Sequence, residues 1–216
     1  MGWFALDPDS IAARVKASGA PPRVPSLSES LVRGIVGFTL VSVAGFTPWA
    51  LFGNFFHRVS GEAGMYVACA IVFMALSGLA LHRLIIGPGS LALFYKLFIP
   101  AFLVYSVAWI AAWMKIGGHT GGIVGLLAGT AAMALFFSAA FGCISRMPLL
   151  TAVLFLLNAA GYFGGGVIEH ALKDWNLTLA MLAWGVCYGL GFGAALGLSF
   201  YLCQSRTRDL LAAAGH

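Results

Sequence analysis

The sequence predicts an all-α, polytopic integral membrane protein built as a bundle of six transmembrane helices. Six apolar stretches between residues 31 and 203 are each long enough to cross a bilayer, whose hydrocarbon core matches about 20 apolar residues. Charged residues make up 9% of the chain and hydrophobic residues 61%, with a mean hydropathy of +0.94. The joints between the stretches are short, and a soluble fold of 216 residues could not hide so much apolar surface.

The chain divides into a cytoplasmic N-terminal segment (1–30), a six-helix transmembrane domain (31–203) and a cytoplasmic C-terminal tail (204–216). The N-terminal segment carries Asp7, Asp9, Arg14, Lys16 and Arg23 without a continuous apolar run, so it does not read as a signal peptide. Leu6 stands where a myristoylation motif needs Ser or Thr. Asp7 as cap, Pro8 in the first turn and Gly19 as terminator predict a short helix. Its apolar side holds Ile11, Ala12 and Val15, with Trp3 and Phe4 just ahead, while Arg14 and Lys16 point to headgroups. It is therefore expected to lie on the cytoplasmic membrane surface. Pro21, Pro22 and Pro25 mark a linker behind it.

The spans are read as 31–54, 63–86, 93–115, 119–143, 149–171 and 177–203, with Gly87-Pro88-Gly89 and Met147-Pro148 as the clearest breaks. With the N-terminus inside, the cytoplasmic side receives nine basic residues: Arg14, Lys16, Arg23, Arg33, Arg83, Lys96, Arg146, Arg206 and Arg208. The other side receives three, Arg58, Lys115 and Lys173. This imbalance places both termini in the cytoplasm, in an inner or plasma membrane. It also accounts for the net charge of +5 without a nucleic-acid partner. Trp49, Trp109, Trp113, Trp175 and Trp184 fall toward span ends, as an interfacial aromatic belt would.

Two spans carry glycine at every fourth position: Gly117, Gly121, Gly125 and Gly129 in the fourth and its approach, and Gly185, Gly189, Gly193 and Gly197 in the sixth. A spacing of four stacks them on one helix face. Missing side chains there let two backbones approach closely, as a glycine zipper does. A gating face is the alternative use. An internal offset of 88 residues pairs Gly34-Ile35-Val36-Gly37 with Gly122-Ile123-Val124-Gly125, Arg58 with Arg146, Gly78 with Gly166 and His82 with His170. Three spans separate the copies, so the halves would form a 3+3 inverted repeat of the kind that builds many transporters. Gly-rich composition supplies chance matches of its own and competes with this reading.

No carboxylate lies deep in a span, which argues against a proton pump or a carboxylate-coupled carrier. No Gly-x-Ser-x-Gly, Walker-type loop, His-Glu-x-x-His or Cys-x-x-Cys is present, so no catalytic residue is named and an enzyme is not expected. Cys69, Cys143, Cys187 and Cys203 show no metal or redox spacing and read as small buried side chains. The deepest strong polar side chain is Asn158, one turn before Tyr162 on the same face, and an amide in hydrocarbon must find a partner. Either it bonds a neighbouring helix or, with Tyr162, it lines a solute site. Tyr105, Ser106, Thr130, Ser138 and Tyr188 are weaker candidates of the same kind.

His57, His119 and His170 map to the outer span ends, with Glu169 beside the last. They come from different segments, so water-facing histidines are expected there and no metal site. Gly78 precedes His82 by four residues and Gly166 precedes His170 by four. This arrangement resembles light-harvesting polypeptides, and the resemblance implies a histidine-ligated tetrapyrrole; proton sensing is a separate candidate role for His82 and His170. His82 and His170 map to opposite membrane faces and could not share one haem, and no cofactor is expected.

The expected function is transport or capture of a small, neutral or zwitterionic solute. The amide of Asn158 offers donors and acceptors that suit such a solute better than a bare ion. The alternative is a non-catalytic subunit packing against lipid, membrane partner proteins or further copies of itself, and behind it a haem- or pigment-binding subunit.

Overall fold

The computed structural model describes residues 4–19 and 21–214, and among them it contains helices and no strand. Eight α-helices follow one another: α1 (Pro8–Ser18), α2 (Leu27–Val59), α3 (Gly61–Leu81), α4 (Ser90–Ile116), α5 (Gly118–Ala140), α6 (Met147–Leu172), α7 (Leu177–Cys203) and α8 (Ser205–Ala213). Helices α2 to α7 are each long and apolar enough to cross a membrane. Each packs on its sequence neighbours and α7 returns to α2, so the six close into a ring. Chain direction alternates around it. The ends near α1 and α8, which touch each other, form one face, and the turns at 60, 117 and 173–176 form the far face.

The first span is longer than the sequence reading, because Ser26 caps α2 through its side chain and the helix runs on to Val59. Pro48 and Pro100 lie inside α2 and α4 and withhold the backbone bonds to Ala44 and Lys96. Asn176 caps α7 by accepting from the Leu179 amide.

Glycine decides how the ring closes. A Cβ on Gly193 would overlap the Gly34 carbonyl, one on Gly197 would overlap that of Ser30, and one on Gly189 would lie 2.5 Å from Thr39 Cα. Gly189, Gly193 and Gly197 of the α7 ladder therefore lie on the backbone of α2, Gly185 faces the Phe46 side chain, and Ser42 Oγ donates across the seam to Gly185 O at 2.6 Å. The opposite side of α7 crosses α6, where Gly191 meets Gly161 and Leu157 O. On α5, Gly121, Gly125 and Gly129 abut Ala112, Trp109 and Tyr105 of α4.

The axis of the ring is filled on the termini face. Phe94, Phe98, Phe102, Phe137, Phe192 and Phe200 are at most 3% exposed, and Phe94 stacks on Phe98 and Phe98 on Phe102 at centroid distances of 5.0 and 5.3 Å. Outside this plug the 84–86 segment is buried and pinned by Gln204. Its Oε1 accepts from Ile86 N, and its Nε2 donates to Leu84 O and Phe200 O, all at 2.8–2.9 Å.

Helix α1 differs from its expected lipid-facing pose. Ile11 and Val15 are buried and pack over Gly87, so the apolar side faces the bundle. Arg14 also turns inward and donates to Ala5 O. The physical reason is area: the 84–87 turn offers this short helix a preformed apolar seat. Trp3 lies outside the described residues. Asp7 caps α1 as read from sequence. Burial works against its charge, but bonds from the Ser10 hydroxyl and amide outweigh this and hold its carboxyl below the ordinary range.

Candidate functional site

Helix α4 carries an aromatic residue at 94, 98, 102, 105, 109 and 113, a spacing of four, four, three, four and four that keeps all six on one face. The half toward the termini forms the phenylalanine plug. The other half, from Phe102 to Trp113, forms one wall of a cavity of about 370 Å³ that lies toward the far face. Opposite it stand Gly45, Phe46 and Trp49 of α2, Met65, Tyr66, Cys69, Ala70 and Phe73 of α3, Tyr162 of α6, and Trp184 and Tyr188 of α7.

Why a cavity forms here follows from the packing. Near the termini face α3 and α4 close tightly, with the Tyr95 ring over Gly78 and its hydroxyl donating to Ala75 O at 2.5 Å. Toward the far face the side chains around the cavity are large aromatic ones. The Tyr66 and Trp109 rings bridge the gap at 5.9 Å.

The rings form a collar through five helices. Trp109 meets Tyr162 at 5.8 Å, Tyr162 meets Trp184 at 5.5 Å, Trp184 meets Trp49 at 5.5 Å, and Trp49 meets Phe46 at 5.8 Å. Tyr66–Trp109, Trp109–Tyr162 and Trp184–Trp49 meet at 69–73°, the edge-to-face preference of aromatic quadrupoles, while Trp109 stacks on Trp113 at 5°. Trp184 is fixed further, since its Nε1 donates to Tyr162 O at 2.9 Å and its ring fills the surface of Gly165. Four of the five tryptophans that suit an interfacial belt by position thus line the cavity. Only Trp175, 76% exposed, points away from the protein.

The floor is polar. Tyr105 and Tyr188 hydroxyls are 3.1 Å apart, and Asn158 Nδ2 donates to the Tyr105 hydroxyl at 2.9 Å. Two phenolic protons serve one bond between the rings, so one O–H remains for a further acceptor. Asn158 is fully buried behind Tyr105, outside the lining, and its Oδ1 has no partner among the described residues. Tyr162 does line the cavity. The two candidates named from sequence are thus separated by one layer: Tyr162 in the wall, Asn158 supporting the floor.

One charged side chain, Glu62, lines the cavity, and among the described residues it forms no salt bridge. Glu62, Trp49 and Met65 also border a second pocket of about 270 Å³, which includes Asn54 and His57. Glu62 therefore stands where the cavity meets the far face.

Among the described residues, His82, His119 and His170 stay apart from this site. His82 lies on the termini face with Nδ1 2.9 Å from Ser90 Oγ, and the surface of Gly78 beside it is occupied by the Tyr95 ring. His170 lies near the end of α6, and His119 packs on Phe163 at 4.6 Å. Among the described residues no three of His, Cys, Asp and Glu converge as metal ligands would. Comparisons with family models, curated proteins and solved structures give no match to this chain.

Proposed function

We propose that this is a multi-pass membrane protein, with both termini cytoplasmic, that takes a small organic solute from the far side into the aromatic cavity for passage or capture. The single observation that carries the reading is the cavity itself. Its volume, its mostly apolar wall and its few convergent polar groups are those of a small-molecule site. The phenylalanine plug below Tyr105 and Tyr188 argues for a binding vestibule or one state of an alternating carrier, and against a permanently open channel.

The inverted repeat adds little support. In the 88-residue register Gly34 meets α7 while its counterpart Gly122 meets α6, and Gly37 meets α3 while Gly125 meets α4. Equivalent residues would face equivalent helices and these do not, so the proposal does not rest on symmetry. The buried phenylalanine plug also favours a second reading, an accessory subunit that packs against partner proteins and moves no solute.

The test is binding to the purified protein in nanodiscs, read by its cavity tryptophans and by melting temperature across a library of small neutral, zwitterionic and cationic solutes. Ala70→Phe, which fills the cavity from α3, should abolish any response while the protein stays folded. Absence of any response in the wild type, or a response unchanged by Ala70→Phe, would leave the subunit reading in its place.

A further inference from the structure

We infer that the cavity recognises a quaternary ammonium group, carried by a small cation or zwitterion; the inference rests on the solute-binding reading above and names its ligand class. Three features converge. The wall is a collar of Tyr66, Trp109, Tyr162, Trp184, Trp49 and Phe46, each ring touching the next and the six held on five different helices. Aromatic faces carry negative potential, and a cluster of them attracts a diffuse organic cation more strongly in a desolvated site than at a surface. A methylated ammonium suits such a wall because it cannot donate hydrogen bonds and its methyl groups tolerate apolar contact. A primary ammonium would lose water bonds that the rings do not replace.

Charge points the same way. Among the described residues Glu62 is the one charged residue of the lining, lies at the far-face end and forms no salt bridge, so it favours cations at the entrance. Among the described residues no basic side chain lines the cavity, so a bare anion would enter without compensation. At the other end the spare phenolic O–H of the Tyr105–Tyr188 pair can donate to a hydroxyl or carboxylate carried by the same ligand. The pairing of an aromatic wall with a donor floor is therefore matched by a molecule with a methylated ammonium at one end and an oxygen at the other. The headgroup of a choline lipid has this chemistry as well as a free solute does.

The experiment compares choline and glycine betaine with 3,3-dimethylbutan-1-ol, the uncharged carbon isostere of choline, by calorimetry on the full chain in phosphatidylglycerol nanodiscs. Choline or betaine should bind at least about tenfold more tightly than the isostere. Glu62→Gln should weaken choline severalfold and leave the isostere unchanged. Trp109→Leu should weaken choline more than Trp109→Phe does, at equal melting temperature of the two variants. Equal affinity for choline, betaine and isostere would overturn the inference while leaving solute capture intact. Failure of all three probes, in a protein that does answer to another member of the solute library, would overturn it too. Failure of every library solute would remove the underlying reading instead. Adding phosphatidylcholine to the discs identifies the source: weaker apparent choline binding assigns the group to the lipid headgroup, and unchanged binding assigns it to a free solute.

Discussion

Gly193→Ala should destabilise the bundle, although alanine is the better helix former. The added Cβ would overlap the Gly34 carbonyl and lie 2.9 Å from Gly34 C and 3.0 Å from Ile35 Cα, all of them backbone atoms that cannot rotate away. Restoring ordinary carbon contact requires roughly 1 Å of separation between α7 and α2. A gap of that size forfeits a quarter to a half of each atom-pair attraction of about 0.1–0.2 kcal/mol. Over some tens of pairs along the seam the loss is about 2–3 kcal/mol, against roughly 1 kcal/mol returned by helix propensity. The net cost of about 1–2 kcal/mol corresponds to a melting temperature lower by about 2–8 °C for a chain of this size. Gly164→Ala is the internal control, because a Cβ there meets nothing within 4 Å and the same propensity term should stabilise by up to about 1 kcal/mol. Thermal unfolding in one detergent reads both. A Gly193→Ala protein as stable as the wild type would mean that α2 and α7 do not touch at this seam.

Gln204→Leu leaves Ile86 N and Leu84 O buried without their partner, and should cost about 2–4 kcal/mol with faster hydrogen exchange at the Ile86 amide; unchanged exchange there would contradict the pinned loop. Asn158→Leu removes one bond to Tyr105 but also removes an unpaired acceptor, so it should change stability by under about 1 kcal/mol and weaken solute binding through a loosened floor. A fall of several kcal/mol, or full binding, would make Asn158 a purely structural residue. Single cysteines at Ser60 and Asp174, both exposed at far-face turns, should label from outside intact cells in a cysteine-free background; labelling only from inside would invert the topology.

Composition and periodicity determined that six helices form, where they lie and which helix faces glycine clears. Helices of this length follow from apolar runs, because a backbone without water must bond to itself and the local chain supplies all the partners. The ladder 185, 189, 193 and 197 is legible for the same reason: its period is local, and only its partner, α2, had to come from the fold. The aromatic spine from Phe94 to Trp113 is equally local, yet its tryptophans also satisfy the pattern of an interfacial belt. The ambiguity has a physical origin, since a ring near a helix end suits an interface and a cavity wall equally well. Sequence does not say which way the helix is turned.

What only the tertiary structure decided is the meeting of distant residues. The Tyr105–Tyr188 pair, the collar from Tyr66 to Phe46 and the placing of Asn158 behind the floor each join side chains from separate helices. At the α2–α7 seam the bond from Ser42 to Gly185 spans 143 positions of the chain. The same holds for α1, whose apolar stripe predicts burial but not whether lipid or the 84–87 turn receives it. Such a stripe fixes which side of a helix seeks an apolar neighbour; the closure of the ring chooses the neighbour.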